Sequence, residues 1–192
     1  RAFAEQSFRR VLELNPSLSS LHGLVVQLAL RQGNVPAAAE AVQVALQQPE
    51  LYVPAMRRLA GELALRNSQP LQALDHLLPL LDTQPEDRQV LQLLLMSWQR
   101  LGREDEARAR LDAVLEAHDQ LHDVWLARLA IEQVGSAGAV AAVERWMAAM
   151  PAHLPALEAR LRLHDMVGER AQAEAIAERI VSLEPGRVSG ET

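Results

Sequence analysis

The chain has 192 residues and a formal net charge of −6, and it contains neither cysteine nor lysine. The negative charge argues against a nucleic-acid binder, which needs a basic face. The two missing residue types exclude disulfides, thiolate metal sites and Schiff-base chemistry. No apolar run reaches the roughly 18 residues of a membrane span, and this stretch carries no recognisable targeting segment.

An alanine recurs along the chain at nearly constant spacing. Its positions are Ala4, Ala38, Ala73, Ala107, Ala139 and Ala173, which are 34, 35, 34, 32 and 34 residues apart. Four of these alanines follow a turn-forming residue by five positions, at Gly33, Ser68, Gly102 and Gly168. A period of this length, held along the whole chain, is typical of an array of helix–turn–helix repeats.

The predicted elements follow this period in chain order. Residues 1–18 hold the second helix of an incomplete leading repeat, and residues 188–192 are a tail or the start of a further helix. Between them lie five repeats, at 19–53, 54–87, 88–121, 122–153 and 154–187. The fourth repeat is about two residues short, and its turn, VGSAGAV at 134–140, is irregular.

Local signals support the first two repeats. In the first, Gly33 can end a helix in the left-handed conformation and Asn34 can cap the next helix. In the second, Pro79 falls inside the second helix, where it removes one backbone hydrogen bond, and we expect a kink there.

The alanine column and the turn glycines, together with the prolines at the repeat ends (Pro16, Pro85, Pro151 and Pro185), resemble the tetratricopeptide repeat (TPR). The resemblance covers nearly the whole chain. It implies an all-α fold, a right-handed α-solenoid of antiparallel helix pairs with about 11 helices.

The resemblance also implies where a partner would lie. In such arrays the first helix of each repeat lines a concave groove that holds the partner. The implied partner-binding residues are Gln27, Arg31, Arg58, Glu62, Arg66, Gln92, Met96, Gln99, Arg100 and Arg162, and Gln89 shares their face. The Lys/Asn carboxylate clamp of some family members is excluded, because lysine is absent.

Arg31, Arg66 and Arg100 occupy equivalent places in three consecutive repeats. One interpretation is a ladder that grips an acidic segment, since guanidinium groups bind carboxylates bidentately. The other is that each arginine closes a helix whose C-terminal dipole favours a cation, and this second interpretation is the commoner one.

Two further groups of residues are more simply explained without a ligand. His118 and His122, with Asp119 and Asp123, lie in a turn between repeats, where a solvated polar turn is favoured over a metal site. Trp98, Trp125 and Trp146 lie at apolar helical positions, which indicates core packing.

No catalytic constellation is present, and we expect no cofactor and no metal. The prediction is a non-catalytic protein–protein interaction scaffold, a fragment of a longer bacterial protein, that binds a peptide or a partner domain with an acidic character. Two alternatives stay open: the substrate-docking arm of a glycosyltransferase- or sulfotransferase-type enzyme, and a periplasmic scaffold for envelope or exopolysaccharide export. The sequence is consistent with a location in either the cytoplasm or the periplasm. Truncated repeat ends would also allow self-association.

Overall fold

The structure is a computed structural model that describes residues 10–11, 14–15, 19–47 and 53–183. Every regular element in these ranges is an α-helix. Within 19–47 and 53–183 the ten helices are α1 Ser19–Arg31, α2 Val35–Leu46, α3 Val53–Arg66, α4 Pro70–Thr83, α5 Arg88–Leu101, α6 Glu104–Ala117, α7 His122–Ala130, α8 Ala137–Ala149, α9 Leu154–Val167 and α10 Arg170–Leu183. The predicted all-α fold is confirmed. The predicted helix over 1–18 lies largely outside the described residues.

The helices follow one another as packed neighbours within two compact halves. The N-terminal half is Arg1–Glu104 and the C-terminal half is Asp105–Thr192. In the first half each of α1 to α4 contacts the next helix, and α3 also contacts α5 directly. In the second half each of α7 to α9 contacts the next helix. Each predicted repeat holds one helix pair, although α3 begins at Val53, one residue before the predicted boundary.

The alanine column lies in the packed interior of the helix pairs. Ala38, Ala73, Ala107, Ala139 and Ala173 are all buried, with at most 5% of each residue exposed. The Ala4 position lies outside the described residues. A larger side chain at these positions would force the paired helices apart, since interiors are close-packed.

The turns adopt the backbone conformation that the sequence predicts. Gly33, Gly102 and Gly168 have φ values of 71°, 63° and 79°, in the left-handed region. Ser68 takes the same conformation with φ 59°, which costs a residue with a Cβ roughly 1–2 kcal/mol. The predicted cap at Asn34 is also confirmed, because its Oδ1 accepts a hydrogen bond from the Ala37 N–H at 3.2 Å.

The second repeat contains two unusual helical positions. Helix α4 continues through Pro79, and the residue four positions earlier, whose carbonyl proline cannot bond, is the exposed Asp75, so that this carbonyl can be hydrated. Gly61 of α3 packs directly on Leu77 of α4: a Cβ built on Gly61 would lie 2.5 Å from Leu77 Cγ. Any side chain at position 61 would therefore require Leu77 or the two helices to shift.

The three tryptophans belong to the packing, as predicted. Trp98, Trp125 and Trp146 are 1%, 3% and 1% exposed. Trp125 and Trp146 stack with their ring centroids 6.3 Å apart, and Arg145 lies over Trp125 at 5.7 Å.

Candidate functional site

A recess of about 410 Å³ is lined by α3 and α5, the first helices of the second and third repeats. We call it the α3–α5 recess. Its lining residues are Arg58, Glu62, Leu65, Arg66, Gln89, Gln92, Leu93, Met96 and Arg100. On each helix they follow one another at three or four residues, except for the adjacent pairs Leu65–Arg66 and Gln92–Leu93. Each helix therefore presents one face to the recess.

Three guanidinium groups surround this recess, and each has a different partner. Arg58 Nη1 pairs with Asp87 Oδ2 at 3.1 Å, and Asp87 also caps α5 by accepting from Gln89 N–H at 2.9 Å. Arg66 Nη2 pairs with Glu62 Oε1 at 2.7 Å, one turn back on the same helix. Arg100 Nη1 donates to the backbone carbonyl of Leu65 at 2.7 Å. Two carboxylates therefore face three cations, and the recess carries an excess positive charge.

The remaining lining residues combine amides with apolar surface. Gln89 and Gln92 are exposed on α5, and each amide can both donate and accept hydrogen bonds. Met96 is 41% exposed, while Leu65 and Leu93 are more buried and belong to the wall of the recess. The recess therefore offers hydrogen-bond donors and acceptors beside an exposed apolar side chain.

The structure brings six of the predicted partner-binding residues together. Arg58, Glu62, Arg66, Gln92, Met96 and Arg100 all line the α3–α5 recess. Gln27 and Arg31 are exposed on α1, and Gln99 is exposed on α5, but none of them lines it. Arg162 lies in the C-terminal half, with its side chain 79% exposed and 3.9 Å from Glu158.

Sequence reasoning missed two lining residues. Leu65 and Leu93 are absent from the predicted set, which holds polar residues and Met96. Their helical spacing from Glu62 and Met96 is the signal that could have placed them at the recess.

The three arginines of the column differ in the contacts that they make. Arg31 and Arg66 are the last residues of α1 and α3, where the helix dipole favours a cation. Arg100 differs, because it reaches back to a carbonyl in the last turn of α3 rather than to its own helix. The three arginines thus share a position in the repeat but not a common set of contacts.

Two histidines of the fourth repeat form an aromatic cluster with Trp146. His122 Nδ1 lies 2.9 Å from His153 Nε2, and both rings lie near Trp146. His118 is exposed. Burial lowers the pKa of His153 below its ordinary value of 6.5, and neighbouring His122 lowers that pKa further. In the ranges that the structure describes, no three His, Asp or Glu side chains converge as a metal site would require.

No helix among the described residues is long and apolar enough to cross a membrane. No family model matches the sequence, and the comparison with curated proteins found no match.

Solved structures do resemble this one. A tetratricopeptide repeat protein from Parabacteroides merdae is 20% identical, with a TM-score of 0.55 over 93% of this chain and 72% of that chain. PilF of Pseudomonas aeruginosa is 17% identical, with a TM-score of 0.55 over 96% of this chain and 85% of that chain. YrrB, described as a TPR protein with an unusual peptide-binding site, is 14% identical, with a TM-score of 0.52 over 95% of both chains. At these identities the similarity concerns the fold alone.

Proposed function

We propose that this chain, which has the fold of the tetratricopeptide repeat proteins, is a non-catalytic protein-interaction scaffold. It binds a peptide segment in the α3–α5 recess. The preferred segment carries an acidic side chain next to an apolar one. The observation that carries the proposal is the excess positive charge of this recess beside the exposed Met96.

The acidic preference follows from how the three arginines are paired. A carbonyl partner leaves the charge of Arg100 uncompensated, whereas the charges of Arg58 and Arg66 are balanced by Asp87 and Glu62. A carboxylate entering the recess would gain a charge-assisted, bidentate partner in Arg100, and a basic side chain would be repelled. The peptide-binding site described for YrrB supports peptide binding by this fold, although that site belongs to YrrB.

Peptide selection tests the proposal while the natural partner is still unidentified. Random dodecapeptides displayed on phage are selected on the chain and counter-selected on a Gln92→Trp variant, whose indole would fill the α3–α5 recess. The affinities of the enriched peptides are then measured by fluorescence anisotropy at several salt concentrations. We expect enrichment of Asp and Glu near an apolar residue, and affinity that falls as salt rises.

Arginine variants provide the control. Replacing Arg66 and Arg100 together by Ala should weaken binding by about tenfold or more and flatten its salt dependence. The matched variant Arg31→Ala changes an arginine at the equivalent place of the first repeat, outside the recess, and should leave binding unchanged. The proposal would be contradicted if the selected peptides were not enriched in Asp and Glu. It would also be contradicted if the unaltered chain, the Arg66/Arg100 double variant and the Arg31→Ala variant bound the peptides equally well.

Self-association through the repeat ends stays a prediction. Sedimentation velocity at increasing protein concentration tests it, since an unchanging monomer mass at high concentration would contradict it.

A further inference from the structure

A second recess, of about 530 Å³, lies in the C-terminal half at the end where α8 begins and α9 ends. We call it the α8–α9 recess. Val140, Leu163 and Val167 provide its apolar walls, and the small Ala137 and Ala141 leave the space open. Its volume is in the range of sites that bind small ligands or single side chains.

This recess lies where the fourth repeat departs from the period. Helix α7 has 9 residues, whereas the first helices of the other repeats have 13 or 14. It ends at Ala130, and the connection over 131–136 is longer than the other turns between paired helices. The small Ala137 and Ala141 of α8, just after this connection, line the recess.

A chain of polar contacts borders the α8–α9 recess. Arg160 Nη1 donates to Glu144 Oε1 at 2.9 Å, and Arg160 Nε donates to His164 Nε2 at 2.8 Å. Because that imidazole nitrogen accepts, the proton of His164 lies on Nδ1 and is donated to Glu169 Oε2 at 2.7 Å. His164 is therefore neutral in this arrangement and is only 8% exposed.

The charges of these groups do not cancel. Two carboxylates, Glu144 and Glu169, face a single guanidinium, and the partner of Glu169 is a neutral imidazole. The side chains of Glu144 and Glu169 are 58% and 46% exposed, so both can meet a ligand. The excess negative charge therefore lies beside the apolar walls, and within this chain of contacts it is Glu169 that has no cationic partner.

One apolar wall of the recess is open to solvent. Val167, which lines the recess, is 58% exposed. Its neighbour in sequence, Met166, is 63% exposed, and Val134, which precedes the lining residue Gly135, is 67% exposed. An apolar wall that is open to solvent can take an apolar side chain of a ligand.

We propose that the α8–α9 recess is a second peptide-binding site, and that it takes a segment with an aliphatic side chain next to a Lys or Arg. The aliphatic side chain packs against Val140, Leu163 and Val167, and the cation pairs with Glu169. This chemistry is the opposite of the acidic preference proposed for the α3–α5 recess. The two sites therefore select different segments, and either can be present without the other.

Nuclear magnetic resonance on the 15N-labelled chain tests the site with defined probes. The probes are tetrapeptides, acetylated and amidated at their ends, in which glycines flank Leu-Arg, Leu-Glu or Ser-Arg. We expect the Leu-Arg peptide to shift the amide signals of Gly135, Val140 and Val167 saturably. The other two peptides should bind about fivefold more weakly or worse, because each lacks one of the two interactions.

Two variants locate the interaction. Glu169→Gln keeps an oxygen that can accept from His164 but removes the charge, and it should weaken Leu-Arg binding by about fivefold. Glu174→Gln, at an exposed position of α10, is the matched control and should have no effect. Ala141→Phe, at an exposed position on the wall, should block binding, while Ala148→Phe on the same helix should not.

Three outcomes would each overturn the proposal. The first is equal shifts with all three peptides, and the second is no saturable shift up to 10 mM peptide, about the weakest affinity that would matter. The third is that the Glu169→Gln variant binds the Leu-Arg peptide as tightly as the unaltered chain does. Shifts confined to Glu62, Gln92 and Met96 would also overturn it, while leaving the α3–α5 recess as a binding site.

Discussion

Arg100 of α5 donates a hydrogen bond to the backbone carbonyl oxygen of Leu65, 2.7 Å away and 35 residues earlier in the chain. That carbonyl lies in the last turn of α3 and also accepts from the Ser68 N–H at 3.1 Å. The guanidinium therefore links the first helices of two adjacent repeats across the α3–α5 recess. The Arg100 guanidinium has this structural contact and still carries its positive charge. A structural role at the end of a helix and the binding of an anion are therefore compatible for this residue.

Replacing Arg100 by Met should lower the free energy of unfolding by about 1 kcal/mol, the usual net value of one hydrogen bond. Urea denaturation followed by circular dichroism measures the change. Arg31→Met is the control, since Arg31 is an exposed residue at the end of α1, and it should cost less than about 0.5 kcal/mol. Equal losses in the two variants would mean that the contact with Leu65 contributes nothing.

Two helical glycines should respond in opposite directions to alanine. Gly61→Ala places a methyl group against Leu77 and should destabilise the protein by about 1–3 kcal/mol. Gly23→Ala meets no atom within 4 Å and should stabilise it by about 0.5–1 kcal/mol, because alanine favours the helix.

A double-mutant cycle attributes the first effect to the contact. In a Leu77→Ala background the obstructing side chain is gone, so Gly61→Ala should cost little or become favourable. The same loss in both backgrounds would refute the steric explanation.

Glu132 should contribute far more to stability than Glu62, although both form an ion pair with an arginine four residues away. Glu132 Oε1 accepts from Arg128 Nη1 at 2.5 Å and from Arg108 Nε at 3.0 Å, and its side chain is only 7% exposed. Glu132→Gln leaves the buried Arg128 paired with Asp112 alone and should cost about 2 kcal/mol, since it removes the charge from one of the two buried carboxylate contacts of this guanidinium.

Glu62→Gln is the matched control for Glu132→Gln. The side chains of Glu62 and Arg66 are 39% and 52% exposed, so the loss should stay below about 1 kcal/mol. Thermal or urea unfolding compares the two variants, and similar losses would contradict the importance of burial.

Acidification should destabilise the protein through its histidines. The folded-state pKa of His153 is lowered by burial and by His122, and that of His76 is lowered by burial and then by Arg57, against an opposing effect of Asp75. Below about pH 6.5 the unfolded chain therefore binds more protons than the folded one, and stability falls as pH falls.

The measurement is Tm between roughly pH 7.5 and 5.5, the range over which an ordinary histidine titrates. His153→Gln should reduce the drop in Tm, whereas His118→Gln, which removes an exposed histidine, should leave the drop unchanged. A drop in Tm that is insensitive to His153→Gln would show that other groups cause it.

The repeat period, the alanine column and the turns could be read from the sequence, because they depend on local rules. Whether a residue can adopt positive φ depends on its own Cβ, which is why Gly33, Gly102 and Gly168 were correctly placed at turns. Closest helix approach demands a small side chain at a fixed position of each repeat, which is why Ala73 and Ala107 are buried. Six of the predicted partner-binding residues share one recess for the same reason, since helical spacing decides which residues share a face.

Only the tertiary structure decided what the charged side chains do. Arg58 reaches Asp87 and Arg100 reaches Leu65 across 29 and 35 residues, and no local spacing predicts such pairs. The α8–α9 recess likewise depends on how far α8 and α9 stand apart at Ala137 and Val167, which one irregular turn in the sequence could not reveal. Local sequence determines helices and turns because backbone preferences act within a few residues. Charge pairing and cavity shape arise from packing between residues that are distant in the chain.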